Sequence, residues 1–159
     1  LHLLTKLQTQ PGDKLLIYGA SGSIGTYAVQ LARHFNAIVT GVCSASNLEL
    51  VRFLGADRVV DYTAEDISHL DERYEVIVDT VGKFPKQRAQ RLLTENGRYV
   101  STHASPVKEK QEYLSLIREL AEKGRIKAVI DRVYPLEKIQ EAHAYVESGR
   151  KKGNVVIQV

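Results

Sequence analysis

Two rhythms of apolar and polar positions take turns along this chain. Runs that are apolar at successive positions occupy Lys14 to Tyr18 (KLLIY), Ala37 to Cys43 (AIVTGVC) and Tyr74 to Thr80 (YEVIVDT). They are short enough for strands and apolar enough to be buried on both faces. Arg58 to Tyr62, Arg98 to Thr102, Ala128 to Val133 and Asn154 to Val159 read as further strands. Between them the period changes to that of a helix. Ile24, Ala28, Leu31, Ala32 and Phe35 fall on one helical face. Helices are also predicted over Leu1 to Leu7, Leu48 to Leu54, Pro85 to Leu93, Tyr113 to Lys123 and Leu136 to Ser148, with a weak helical patch from Ala64 to Leu70. The Tyr113 helix should turn Leu114, Ile117, Leu120 and Ala121 inward, and the last helix Ile139, Ala142 and Val146. Gln10-Pro11-Gly12-Asp13 and Glu95-Asn96-Gly97 supply turns, and Gly55 and Gly124 helix stops.

Strand and helix alternating with short connections predict an α/β fold, a Rossmann-type doubly wound parallel sheet flanked by helices. Such a sheet binds ligands at the carboxyl ends of its strands, where strand order reverses. The 159 residues suit one domain. A composition of 43% apolar and 26% charged residues is that of a globular protein, and no stretch is long and apolar enough to span a membrane. The net charge of +3 is spread thinly, which argues against a nucleic-acid partner. The one basic cluster, Arg150-Lys151-Lys152, reads first as a solvated turn, with contact to an anionic ligand as the lesser alternative. One cysteine allows neither an internal disulfide nor a multi-cysteine zinc site.

The stretch after the first strand, Tyr18-Gly19-Ala20-Ser21-Gly22-Ser23-Ile24-Gly25, opens directly into the first long helix. A dinucleotide needs a tight turn, a residue without a side chain facing the pyrophosphate, and a close helix-to-sheet contact. Ala20, Gly22 and Gly25 stand at those three places, with the amides around Ser23 and Ile24 pointing at the phosphates. In NAD sites an acid at the end of the second strand bonds the ribose 2′-hydroxyl. Here no Asp or Glu occurs between Gly25 and Glu49, and Ser44, Ser46 and Asn47 stand there as neutral donors. The missing carboxylate favours NADP(H) over NAD(H), although the Arg or Lys that grips a 2′-phosphate is missing from this stretch too.

PGDKLLIYGASGSIGTYAVQLA, with GVCSASNLELVRFLGADRVVDY after it, resembles the cofactor domain of the medium-chain dehydrogenase/reductases, nearest their zinc-independent quinone oxidoreductase branch. The ending DRVYPLEKIQEAHAYVESGRKKGNVVI resembles that family's last helix and strand. The resemblance implies a cytoplasmic NADP(H)-dependent oxidoreductase acting on quinones, enones or carbonyls, with residues 1–159 as its cofactor domain. The family's catalytic β-barrel, which completes the substrate pocket and carries any zinc ligands, is absent from these residues. The resemblance places the pyrophosphate at Ala20 to Gly25, including Ser21, and the 2′-phosphate at Ser44, Ser46 and Asn47. It sets Tyr62 against the adenosine, with a strand-end aromatic capping the sheet as the equal alternative, and the nicotinamide half along Thr80, Val81, Gly82, Ser101 and Thr102. Asn154 is a further polar contact. Many members carry Arg where this chain has Ser46. The family also has a longer segment, including its dimerisation strand, where Ala104 to Glu109 stand here, so the family dimer is in doubt.

Tyr134-Pro135-Leu136-Glu137-Lys138 imitates the Tyr-x-x-x-Lys pair of short-chain dehydrogenases. Pro135 favours an extended Tyr134, which keeps the pair off one helix. Cys43 reads as a packed residue, Asp79 as a buried acid bonded to loop amides, and the five histidines show no metal-binding spacing. Two alternatives stay open: an extended short-chain dehydrogenase, and a nucleotide-sensing module that binds without turnover.

Overall fold

The structure, a computed structural model, describes residues 1–103 and 110–159. The shortened connection from Ala104 to Glu109 lies outside them. Helix α1 (His2–Lys6) leads into strand β1 (Lys14–Tyr18), and α2 (Ser23–His34) crosses to β2 (Ile38–Cys43). Helix α3 (Leu48–Phe53) precedes β3 (Arg58–Asp61), and β4 (Tyr74–Asp79) is followed by α4 (Lys86–Leu92), β5 (Leu93–Ser101) and α5 (Gln111–Glu122). The first five strands form one parallel sheet in the order β3-β2-β1-β4-β5. Strand order reverses between β1 and β4, whose ends at Tyr18 and Asp79 lie side by side. The expected fold is present, and its switch point is defined.

Alternate residues of the central strands serve opposite faces of the sheet, the period-2 rule seen twice over. Leu15, Ile17, Val39, Val76 and Val78 join α2, α3 and α5 in one buried cluster. Leu16, Val42, Val60 and Ile77 join Phe84, Ala89 and Leu92 in the other. Burial on both sides explains why the strands read as continuous apolar runs.

Three expectations about elements are corrected. Ala64 to Leu70 holds only a 3₁₀ turn, Ile67–His69, because the Asp66 carboxylate accepts the Ser68 amide and closes a tight turn instead. On α5, Leu114 is 67% exposed and Leu120 3%; Ala121 is also exposed, while Leu116 and Ile117 are partly buried. The apolar stripe is therefore covered along one edge only. The last helix forms as a 3₁₀ turn and then α6 (Ile139–Glu147), with Ala142 buried but Ile139 and Val146 outward.

Strands β6 (Ile130–Pro135) and β7 (Asn154–Gln158) do not extend the main sheet. They form a separate parallel pair. A β-bridge between Gly22 and Gly153 is one of the contacts that tie this C-terminal unit to the glycine loop.

Candidate nucleotide-binding site

The three glycines of the loop do three different jobs. Gly19 takes φ +81°, so the left-handed turn falls there and not at Ala20, which is fully buried beneath the loop. At Gly25 a Cβ would lie 2.1 Å from the Gly19 carbonyl oxygen, so only glycine lets α2 pack against the loop. Gly22 differs from both. Its φ of −78° suits any residue, and a Cβ would meet only the Gly19 oxygen at an ordinary 3.5 Å. Nothing inside the protein requires glycine at Gly22; a side chain there would fill the space in front of α2.

That space belongs to a cleft of about 710 Å³ lined by Ser21, Gly22, Ser44, Ser46, Asn47, Tyr62 and Val81 of the predicted set. Two elements meet here: the β1–α2 loop and the turn after β2. Asn47 joins them, since its amide donates to Ser21 Oγ at 3.1 Å and to Ser44 Oγ at 3.2 Å. Its Oδ1 is buried without a hydrogen-bond partner among the described residues. An open cradle at Gly22, neutral donors at Ser44 and Ser46, and an unsatisfied amide beside them fit a phosphorylated, hydroxyl-rich ligand.

Other predicted residues are placed differently. Ile24 is half exposed and turns to an apolar pocket with Leu1, Tyr27 and Ile117, away from the cleft. Thr80 is buried and donates its hydroxyl to the Tyr18 and Gly19 carbonyls at 2.9 and 3.0 Å, which locks β4 to the start of the loop. Asn154 donates its side-chain amide to the Val129 carbonyl at 3.1 Å, bracing β7 against the residue before β6. Gly82, at φ +69°, sits under the His103 ring, and Thr102 Oγ1 lies 3.5 Å from His103 Nδ1. Ser101 is buried beside Asp79.

Asp79 organises this corner, as its place in the sequence suggested. Its carboxylate accepts the amides of Val81, Gly82 and Phe84 at 3.0, 2.8 and 3.0 Å. It thereby shapes the loop that carries Val81 and Lys83 to the cleft. The Tyr18 ring stacks on Phe84 at 5.0 Å and meets Tyr62 at 6.2 Å, so aromatic faces cross the carboxyl ends of the strands. Burial, then the neighbouring Tyr62 and Asp79, raise the Tyr18 phenol above its usual range. Cys43 is buried, and burial pushes its thiol up to about 11, which suits a packed residue and not a nucleophile. Tyr134 lies in β6 and Lys138 in the following 3₁₀ turn, so the Tyr-x-x-x-Lys pair does not share a helix.

Seven residues outside the predicted set also line the cleft: Tyr18, Gly19, Cys43, Lys83, Gly149, Arg150 and Lys151. The reading of Arg150-Lys151-Lys152 as a solvated turn is corrected for its first two members. The turn folds back onto the glycine loop, where the Gly153 amide donates to Ser21 O at 2.8 Å and Ser23 Oγ donates to Gly153 O at 2.7 Å. Lys83, Arg150 and Lys151 thus bring cations to the cleft from parts of the chain distant from β2. Among the described residues, no three His, Cys, Asp or Glu side chains come together to hold a metal ion. None of their helices is long and apolar enough to cross a membrane.

Fold and loop define the class: a Rossmann-type α/β domain with a glycine-built cradle at its switch point. The family follows from comparison with known proteins. A family model described as zinc-binding dehydrogenase matches residues 54–157. The 2-methylene-furan-3-one reductase of Solanum lycopersicum is 34% identical, aligned over 97% of this chain and 42% of its own length. The chloroplastic NADPH-dependent alkenal/one oxidoreductase of Arabidopsis thaliana is 30% identical over the same shares, 97% and 42%. The structure of the quinone oxidoreductase from Coxiella burnetii superposes with a TM-score of 0.83 at 21% identity, covering 98% of this chain and 56% of that one, a likeness of fold. The chain belongs to the zinc-binding dehydrogenase family of medium-chain dehydrogenase/reductases, with quinone and alkenal oxidoreductases as its relatives. It spans less than half the length of the two relatives described.

Proposed function

We propose that this chain binds NADP(H) along the carboxyl edge of its sheet and serves as the cofactor-holding part of an oxidoreductase. That enzyme would move hydride between the nicotinamide and a quinone, enone or carbonyl compound. The observation that carries the reading is Gly22, a glycine that no internal contact requires, at the mouth of a cleft where the first turn of α2 begins. The α2 N-cap supplies no side-chain acceptor and its first turn has no acid, so its leading amides and the helix dipole are available to a phosphate.

Preference for the 2′-phosphate is supported by Ser44, Ser46 and Asn47 in place of an acid, with Lys83 and Arg150 lining the same cleft. The cofactor supplies the hydride chemistry. These residues bind and orient it: Gly22 and Ser23 at the pyrophosphate, Tyr62 and Tyr18 as flat faces at its edge, and the Asp79-braced loop beside the nicotinamide half. The aligned portion of the relatives leaves more than half of their length unmatched, and the substrate pocket is assigned to the part of the enzyme that corresponds to that unmatched length.

Titration with NADPH and, separately, NADH, followed by nicotinamide fluorescence, tests the reading. Tighter binding of NADPH is expected, with 2′-phospho-ADP-ribose competing. A preference for NADH would overturn the choice of cofactor, and binding of neither would overturn the nucleotide site. Quinone reduction by these 159 residues alone is expected to be slight, and robust turnover would refute the division of labour.

A further inference from the structure

At the amino ends of the strands, away from the nucleotide cleft, the C-terminal ends of α2, α3 and α5 border a groove of about 860 Å³. Asn36 and Ala37 lead from it into β2, and Asp57 leads into β3. Four permanent cations line it: Arg33, Arg52, Arg125 and Lys127. They face one carboxylate, Asp57, which already accepts the Val39 amide at 2.8 Å. Phe53 lines the same groove and is 86% exposed, a large apolar side chain left in water.

The backbone beneath these cations is fixed. Gln30 is buried, and its side chain accepts the Lys127 amide at 2.8 Å while donating to the Lys127 carbonyl at 3.0 Å. Ile126 is buried between Arg125 and Lys127, and both neighbours are exposed. The Arg33 stem crosses Gly55, which stands at φ +107° and where a Cβ would lie 2.4 Å from Arg33 Cδ. Arg52 holds Glu49 at 2.6 Å, but Arg33, Arg125 and Lys127 belong to none of the ion pairs among the described residues. Part of the charge answers the negative ends of helices, since Arg33 and Arg52 stand in the last turns of α2 and α3. Arg125 and Lys127 lie beyond the end of α5, and Phe53 adds nothing to that balance. Three helix C-termini also bring partial negative charge to the groove, which disfavours a compact anion at its floor. The outward guanidinium and ammonium heads are left as the attractive surface.

We infer that this groove docks an acidic polypeptide segment, with its carboxylates on Arg33, Arg125 and Lys127 and an apolar side chain on Phe53. Clustered Arg side chains read acidic motifs through paired N–H donors, and exposed aromatic and Arg residues together mark contact surfaces. Nucleic acid is the poorer fit, because the net charge of +3 lacks the dense positive field that a phosphate backbone requires. The groove and the nucleotide cleft lie at opposite edges of the sheet. The inference therefore does not rest on the nucleotide reading, and the two ligands do not compete.

The test follows fluorescence anisotropy of three labelled probes: a short peptide of alternating Glu and Ser with one central Phe, its counterpart with Gln for Glu, and a single-stranded DNA oligonucleotide of equal charge. The Glu peptide should bind at least about 10-fold more tightly than the Gln peptide, and its affinity should fall as salt is raised. Arg125→Gln combined with Lys127→Gln should weaken it by about 10-fold or more and flatten the salt dependence. Removing the same two charges from α4, as Lys86→Gln with Arg91→Gln, should leave the affinity within about 2-fold. Phe53→Ala should cost about 3- to 10-fold with the Phe-containing peptide and nothing when that Phe is replaced by Gly. An equal loss in the α4 variant would reduce the effect to net charge and overturn the inference. So would equal binding of the Glu and Gln peptides, binding of neither, or tighter binding of the oligonucleotide. Cations that only balance helix ends predict that Arg33→Gln lowers the melting temperature and leaves peptide affinity unchanged, which would also overturn it. Titration of the Arg125→Gln, Lys127→Gln protein with NADPH keeps the two readings apart, since nucleotide affinity should match wild type whether or not the peptide binds.

Discussion

The central sheet and the C-terminal unit are built from the same kinds of residue and buried very differently. In β1 and β4, Leu15, Leu16, Ile17, Val76 and Ile77 are wholly inaccessible. In β6 and around α6, Ile130, Val133, Leu136, Ile139 and Val146 are exposed, and Ala142 is the buried residue of α6. The sheet is covered on both faces and supports itself. The β6-α6-β7 unit is held to it by contacts at the glycine loop, among them the Gly22–Gly153 bridge and the Ser23 hydroxyl. The candidate site lies on the seam between these regions. Rigid backbone comes from one side and a positive side chain from the other.

The difference is open to attack first where it is largest. Ile77→Ala in β4 should cost about 2–5 kcal/mol in chemical denaturation, since a fully buried side chain leaves a cavity that the sheet cannot close. A cost below 1 kcal/mol would mean that the sheet is not the rigid partner. Asp79→Ala should follow at about 3 kcal/mol, because the amides of Val81, Gly82 and Phe84 lose their shared acceptor. It should also weaken nucleotide binding, as Val81 and Lys83 line the cleft. Destabilisation with unchanged binding would detach that loop from the site.

How far the sequence revealed all this depended on distance along the chain. The strands and the glycine loop are local patterns, and β1 forms over the predicted Lys14 to Tyr18. Spacing alone gives Ala20 the tight turn, whereas the positive φ belongs to its neighbour Gly19. Thr80 and Asn154 are polar residues at strand ends that spacing alone offers to a ligand. In the fold, backbone carbonyls take their side-chain donors. Lys151 was missed for the opposite reason: it reaches Ser23 across almost the whole sequence, and only the return of the C-terminal unit shows it. On α5, periodicity defined the stripe but not which edge of it is covered.

A smaller effect, with a pH signature, is expected at Cys43. The thiol is held at about 11 in the fold against an ordinary 9.0, so the unfolded chain gives up this proton first. Stability from this group is therefore complete below pH 9 and is lost as pH rises through about 11. Tyr18, Tyr74 and Tyr99 are also raised by burial and add a loss of the same sign. The difference between wild type and Cys43→Ala isolates the cysteine: it should shrink across that window in wild type's disfavour. A difference that stays constant from pH 8 to pH 11 would contradict the burial argument.

The smallest effect is the other end of the comparison. Val133 in β6 is 55% exposed, and Val133→Ala should change stability by less than about 0.5 kcal/mol. It also stands opposite Val156 in the two-stranded pair, so the residual cost reports on cross-strand contact alone. Measured beside Ile77→Ala under the same conditions, it sets the scale of the difference between the regions. A cost near 2 kcal/mol would show that this strand is buried in solution as deeply as the main sheet. The seam would then be an interior, and Lys151 would approach the glycine loop from within a core instead of from a turn laid over it.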